Sequence, residues 1–184
     1  MRIVAGLAKG RRLSAPAGAT RPTSDRAREA LFSSLATLLD LDGARVLDLF
    51  AGTGAVGLEA LSRGAAAAVL VESDRAAAEV LRRNVDAVGL PGASIVRRPV
   101  ERVLNDAPDA PFDLVFADPP YGLADAALGD LLAALGTGGW LTHDAIVVVE
   151  RSARGHPPPW PEAFITPVRD RRYGAGVLWY GRRR

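Results

Sequence analysis

Asp48-Leu49-Phe50-Ala51-Gly52-Thr53-Gly54-Ala55-Val56-Gly57 continues the strand-like run that begins Arg45-Val46-Leu47 and leads into a helix-like stretch over 55–63. Strand, glycine turn and helix in that order open a βαβ unit. The glycines fit G-x-G-x-x-G, which permits a tight turn and lets main chain approach a ligand at a helix N-terminus. Glu72 lies 20 positions after Gly52, at the end of the next strand-like run, 68–72. A carboxylate there can accept hydrogen bonds from both ribose hydroxyls of an adenosine.

Outward from this unit the texture keeps alternating. Strand-like runs at 94–97, 112–117 and 145–149 are separated by helical stretches at 74–88, 100–105 (weak) and 124–135. Short apolar strands separated by helices predict a parallel sheet covered on both faces. Beyond it, 151–161 holds His156-Pro157-Pro158-Pro159-Trp160-Pro161 and reads as a loop, and 164–169 and 177–180 read as two closing strands. Upstream, 2–14 predicts a short basic hairpin and 15–22, with Pro16, Gly18 and Pro22, a loop. Thr23, Ser24 and Asp25 can cap a helix over 25–39, whose apolar stripe is Ala27, Leu31, Leu35 and Leu38. The expected fold is α/β, a doubly wound sheet with ligands at the carboxyl ends of its strands. The expected division is 1–22 as a basic hairpin and loop extension and 23–184 as the main domain.

Composition narrows the chemistry. There is no cysteine, so a disulfide frame, a thiolate zinc site and a thiol nucleophile are excluded, and His143 and His156 are too isolated to suggest a metal cluster. No apolar run is long enough for a membrane span, and 1–6 is too short for a signal peptide, so a cytoplasmic location is expected. The net charge of +2 hides a polarity: residues 1–28 carry +6, residues 169–184 carry +5, and the middle −9. Basic ends on an acidic body suggest a polyanion partner. Lys9 is the only lysine, and arginine favours forked phosphate contacts; an arginine-rich genome would leave the same bias without function.

The glycine loop suits a nicotinamide cofactor or S-adenosylmethionine, and a bare strand-to-helix turn is the plain alternative. Asp48 favours S-adenosylmethionine: at the end of a buried strand its carboxylate can meet the ammonium of a methionine moiety, whereas beside a pyrophosphate it would repel. The sharper signal is Asp118-Pro119-Pro120-Tyr121, directly after the strand at 112–117. Two prolines fix φ and remove two donors, so the Asp118 and Pro119 carbonyls are presented stiffly. An exocyclic amine on a base is a poor nucleophile. Hydrogen bonds from it to the Asp118 side chain and a backbone carbonyl concentrate density on nitrogen and aim it at a sulfonium methyl. Tyr121 can stack on the base. No metal is required.

These residues resemble the motifs of class I methyltransferases that modify amino groups. Arg2-Ile3-Val4-Ala5-Gly6 with Lys9-Gly10-Arg11-Arg12-Leu13, the run Arg21-Pro22-Thr23-Ser24-Asp25-Arg26-Ala27-Arg28-Glu29-Ala30-Leu31-Phe32, and Arg172-Tyr173-Gly174 resemble the RsmD family, bacterial guanine-N2 methyltransferases of small-subunit ribosomal RNA. The resemblance implies a Rossmann-like class I methyltransferase sheet of seven strands with an antiparallel last hairpin and a small N-terminal β-hairpin. It implies S-adenosyl-L-methionine as donor, S-adenosyl-L-homocysteine as product, and 16S rRNA in the small ribosomal subunit or its precursor as substrate; apart from the resemblance, a monomer is the simpler expectation and no membrane partner is expected. The catalytic set is then Asp118, Pro119, Pro120 and Tyr121. The donor set is Asp48, Phe50, Ala51, Gly52, Thr53, Gly54, Gly57, Glu72, Ser73, Val100 and Asp118. The RNA set is Arg2, Lys9, Arg11, Arg12, Arg21, Thr23, Arg26 and Arg28, with Ser24 as a further candidate. In place of the acidic residue that often follows strand three, the chain has Arg97-Arg98-Pro99-Val100-Glu101; Val100 N–H is the expected adenine contact and Glu101 a possible one.

Two other readings stay open on the residues alone. DNA adenine-N6 methylation uses the same tetrapeptide chemistry, though 184 residues leave no room for a separate target-recognition domain. A non-catalytic rRNA-binding assembly factor would keep the basic ends and a relic pocket. Phe50 is expected to pack under the glycine loop, Trp140 and Trp179 to be core or subunit-surface residues, Trp160 to staple its loop, and Arg182 to Arg184 to form a disordered tail.

Overall fold

A computed structural model describes residues 1–16 and 24–184. The loop expected over 15–22 falls mostly outside the described residues, as do Arg21 and Thr23. Helix α1 (Asp25–Leu35) comes first. Then follow β1 (Arg45–Leu49), α2 (Ala55–Ser62), β2 (Ala67–Val71), α3 (Arg75–Val88), β3 (Ala93–Val96), α4 (Val100–Leu104), β4 (Phe112–Ala117), α5 (Asp125–Thr137), β5 (Leu141–Ser152), β6 (Ile165–Tyr173) and β7 (Gly176–Arg183). The seven strands form one sheet in the order β3-β2-β1-β4-β5-β7-β6. β7 runs antiparallel to both its neighbours, and the strand pairs from β3 to β5 are parallel. The doubly wound sheet expected from the sequence is therefore present, with the direction of winding reversing between β1 and β4. Among the described residues no helix is long and apolar enough to cross a membrane.

Alternation along the strands divides the core. Val46, Leu114, Ile146 and Val148 face a layer with Leu31, Phe32 and Leu35 of α1, Leu58 and Leu61 of α2, and Leu81 and Val88 of α3. Leu47, Val115, Val147 and Val149 face the other way, onto α4 and α5 through Val103, Leu128, Leu132 and Leu135. Both faces of the central strands are thus covered, as continuous apolar strands require.

Three expectations change. The helix expected over 25–39 stops at Leu35: Ser24 caps its start, its hydroxyl accepting from Ala27 N–H at 3.1 Å, but Thr37 N–H and hydroxyl both turn back onto Ser34 C=O and tighten the end into a turn. β5 is longer than 145–149, because its polar end residues Glu150, Arg151 and Ser152 pair with Leu178, Val177 and Gly176 of β7. The disordered tail is not one. Arg182 and Arg183 belong to β7; Arg182 reaches Leu38 C=O at 3.2 Å, the Arg183 guanidinium lies 5.5 Å from the Phe164 ring centre, and Arg184 N–H donates to Phe164 C=O at 2.9 Å.

The N-terminal hairpin is reduced to one antiparallel bridge, Arg2 to Arg12, supported by Ile3 N–H to Arg11 C=O and Gly10 N–H to Ile3 C=O, both 2.9 Å. Its inner residues Ile3, Ala8 and Leu13 are buried in the first core layer. Glu59, fully buried on α2, accepts from Val4 N–H at 2.8 Å, Ala5 N–H at 3.0 Å and Arg63 Nε at 2.9 Å. A buried carboxylate needs donors of this number, and here they fasten the basic segment to the body.

Candidate active site

Parallel pairing brings three strand ends to one edge. Leu49 of β1 is level with Val71 of β2 on one side and Ala117 of β4 on the other. The residues that follow each strand, Glu72, Phe50 to Gly54, and Asp118 to Tyr121, therefore stand side by side at the reversal of winding, where open α/β sheets hold ligands.

The glycine loop is built for close approach. Phe50 takes φ 60°, costly for a residue with a Cβ, and Gly52 and Gly54 take 54° and 77°. Ala51 N–H donates to Val71 C=O at 2.8 Å and Gly54 N–H to Ala51 C=O at 2.7 Å. Glu72 closes the far side, with Oε2 accepting from Gly52 N–H at 2.9 Å and Oε1 from Asp74 N–H at 2.8 Å. Each of its oxygens keeps a lone pair for a ligand hydroxyl. Ser73 lies exposed in the same turn. Phe50 is partly buried and packs against the second core layer, with α4 and α5.

Asp48 sits beneath. It is buried, and its Oδ2 accepts from Gly57 N–H at 2.9 Å. Its Oδ1 has no hydrogen bond among the described residues. Burial pushes its pKa up to about 8; the Gly57 N–H pulls the other way, and the charges of Asp118 and Glu72 add to the rise. A buried carboxylate held near neutrality with an unengaged oxygen fits a cationic amine ligand. With the Glu72 acceptors and the glycine loop, these residues fit S-adenosylmethionine. Asp48, Glu72 and the loop would hold it.

Asp118 makes no side-chain hydrogen bond among the described residues. Its pKa is pushed up to about 7, first by burial and then by the charge of Glu150, which ends the apolar run of β5 beside it. The carbonyls of Asp118 and Pro119 accept no hydrogen bond among the described residues, whereas Pro120 C=O takes Leu123 N–H at 2.9 Å. Pro119 is buried, Pro120 exposed, and the Tyr121 ring is 70% exposed. A stiff turn with two unengaged acceptors and an exposed ring beside it can bind and polarise an amine on a flat base.

Folded-state pKa values raised from 3.8 carry a stability signature. Native Asp48 and Asp118 hold protons that the unfolded chain releases, so their contribution is full below pH 3.8 and is lost as pH rises through about 7 and 8. The melting temperature is expected to fall between about pH 4 and about pH 8 and to level off above, and Asp48→Asn should flatten that fall. An unchanged slope in scanning calorimetry would refute the raised values.

The structure separates the other expected residues. Val100 begins α4 behind Pro99, its side chain 3% exposed and packed with Val103 and Leu104; Glu101 is exposed, and Arg98 is held by Asp106 at 2.7 Å. Arg2, Lys9, Arg11, Arg12 and Arg26 are exposed. Arg11 nevertheless donates to Val88 C=O. Arg28 must be corrected: it is fully buried and offers no surface to a phosphate, its guanidinium binding Arg2 C=O and, at 2.9 Å, Asp25. It joins α1 to the N-terminal bridge.

Two residues beside the site are not marked by the sequence patterns above. Glu150 is one. Asn84, on the buried face of α3, is the other: its Nδ2 donates to Thr53 C=O at 2.9 Å and Ser14 C=O at 3.0 Å, and its Oδ1 accepts from Ser14 N–H at 2.8 Å. It therefore ties the basic N-terminal segment to the glycine loop. An amide on an otherwise apolar helical stripe (Val80, Leu81, Val88) was the signal available.

Known proteins share this frame. The family model described as Conserved hypothetical protein 95 matches residues 1–182. Ribosomal RNA small subunit methyltransferase D of Escherichia coli strain K12 is 39% identical over 162 residues, covering 88% of this chain and 79% of that one. The Bacillus subtilis protein YlbH is 36% identical over 188 residues, with both chains covered in full. The solved structure of Escherichia coli yhhF superposes with a TM-score of 0.86 at 35% identity, covering 100% of this chain and 97% of that one.

Proposed function

The chain belongs to the RsmD family, the one described as Conserved hypothetical protein 95, and from that premise we propose that it methylates the exocyclic N2 of a guanine in 16S ribosomal RNA, within an assembled or assembling small subunit. It is an S-adenosylmethionine-dependent rRNA methyltransferase. The observation that carries the reading is the register Leu49 to Ala117, which sets the glycine loop and Asp118-Pro119 on adjacent strand ends.

When bound, the donor supplies an electrophilic sulfonium methyl and is left as S-adenosylhomocysteine. The chain does the rest by positioning and electrostatics. Glu72 and the glycine loop would hold the ribose side of the donor, and Asp48 its amine side. The Asp118 carboxylate and a backbone carbonyl of Asp118-Pro119 accept the two N–H bonds of the guanine amine, which raises electron density on nitrogen. Tyr121 stacks on the base. The proton released after transfer passes to Asp118, whose raised pKa suits a proton acceptor near neutral pH, or to solvent. We place the reaction in the cytoplasm and the enzyme as a monomer.

Tritium transfer to small subunits from cells lacking this chain, to naked rRNA and to DNA tests the reading. Label is expected on the subunit or its precursor, at one guanine N2 by nucleotide mapping. Label on DNA adenine alone, or no transfer despite donor binding, would replace the reading with one of its alternatives.

A further inference from the structure

We propose that the cleft between Tyr121, the 152–155 turn and the Gly174-Ala175 hairpin tip seats the phosphodiester backbone next to the target base, with Arg154 and Arg172 as its anchors. The inference rests on the function proposed above, in which the acceptor is a polynucleotide.

The sheet order gives the cleft its side. The donor residues Glu72 and Asp48 to Gly54 lie on β2 and β1, Asp118 follows β4, and the cleft lies beyond it at the ends of β5, β7 and β6. A base presented to Asp118 with its reactive amine toward β1 must carry its sugar and phosphates away from the donor, which is toward this cleft. The space is about 820 Å³, within the range of nucleotide-sized sites.

Its lining suits an anion. Among the described residues the charged ones that line it are Arg154 and Arg172, both exposed, and neither guanidinium has a hydrogen bond or ion pair there. Arginines elsewhere on β5 and β6 differ: Arg151 pairs with Asp125 at 2.5 Å, and Arg169 donates to Thr37 Oγ1 at 3.0 Å. Ala153, Gly155, Gly174 and Ala175 put little bulk into the cleft, so a chain of phosphates can approach the main chain. Ala153 N–H to Ala175 C=O at 2.8 Å joins the turn to the hairpin tip, and Gly155 N–H to Ser152 C=O at 2.9 Å closes the turn. The two guanidiniums are thus carried on one frame, and a guanidinium fork matches phosphate geometry. Tyr121, at the cleft's edge three residues after Asp118, offers a face for stacking.

The test compares the full-length wild type with Arg154→Ala/Arg172→Ala and with Arg154→Lys/Arg172→Lys. Dissociation constants for small subunits from cells lacking the protein are measured over a salt series, KM and kcat by tritium transfer, and donor Kd by calorimetry. The alanine pair is expected to weaken subunit binding about tenfold or more, raise KM more than it lowers kcat, and reduce the log–log salt slope by about two, one per phosphate. Donor Kd should stay within about twofold, which also reports that the fold is intact. The lysine pair should restore the slope but only part of the affinity, because the fork is lost. Unchanged affinity and slope in the alanine pair overturn the proposal. Wild type that labels only DNA removes the rRNA reading, and the same slope comparison on that DNA then judges the cleft by itself.

Discussion

Asp118→Ala is expected to lower the rate of methyl transfer by roughly 10² to 10³, about 3–4 kcal/mol, the range for removing one preorganised charge-stabilising group from an active site. The side chain makes no hydrogen bond among the described residues and packs no core layer, so its loss leaves the β4 end and the two prolines in place. Removing a carboxylate already pushed toward neutrality by burial also relieves a cost, so stability at about pH 8 should not fall. Donor affinity should hold or improve, because the Asp118 charge is one of the influences raising Asp48. The wild-type rate should climb about tenfold per pH unit below pH 7 and level off above it, since only the ionised carboxylate accepts both an amine hydrogen and, later, its proton. Asp118→Asn keeps an acceptor oxygen, so it should lose less than the alanine variant and show no such limb. Single-turnover rates from about pH 5.5 to about pH 9, with donor Kd by calorimetry, separate these outcomes. A full rate in Asp118→Ala would remove the residue from the chemistry.

The parts of this site that were legible in the sequence are those that local pattern determines. Gly52, Gly54 and Gly57 had to follow a buried strand and open a helix, and they do. Pro119 and Pro120 announced a stiff turn by composition alone. What escaped reading depends on partners far away in the chain. Arg28 sits in a run of basic residues and reads as a phosphate contact, yet it is buried, with Arg2 C=O and Asp25 among its partners. Glu59, Asn84 and Glu150 are single polar residues in apolar patterns, whose roles appear only when Val4, Ser14 or Asp118 arrives beside them. The terminal arginines looked like a tail because alternation is weak in Gly181 to Arg184; pairing with β5 and β6 supplies the order that local propensity lacks.

Gly57→Ala is the substitution that should damage donor binding most without touching a group that contacts the reacting atoms. A Cβ on Gly57 would lie 2.2 Å from Leu70 Cδ2 and 3.3 Å from Asp48 Oδ2. Leu70 is fully buried between β2 and the α1–α3 layer, so it has little room to retreat and α2 must move off the sheet. Overpacking of this kind costs about 1–3 kcal/mol. The movement also pulls Gly57 N–H away from the Asp48 carboxylate, and that bond is what lowers the Asp48 pKa against the pull of burial. With it stretched, Asp48 stays protonated to higher pH and presents a neutral acid to the ligand ammonium. Donor affinity at pH 7 is therefore expected to drop about tenfold or more, and the loss should shrink as pH rises past the wild-type value of about 8, because high pH restores the charge that the lost N–H no longer supports. Urea midpoints measure the packing cost, and calorimetric Kd values over a pH series measure the electrostatic one. A Kd loss that is constant with pH would assign the damage to loop geometry alone and leave Asp48 without its role as the counter-charge.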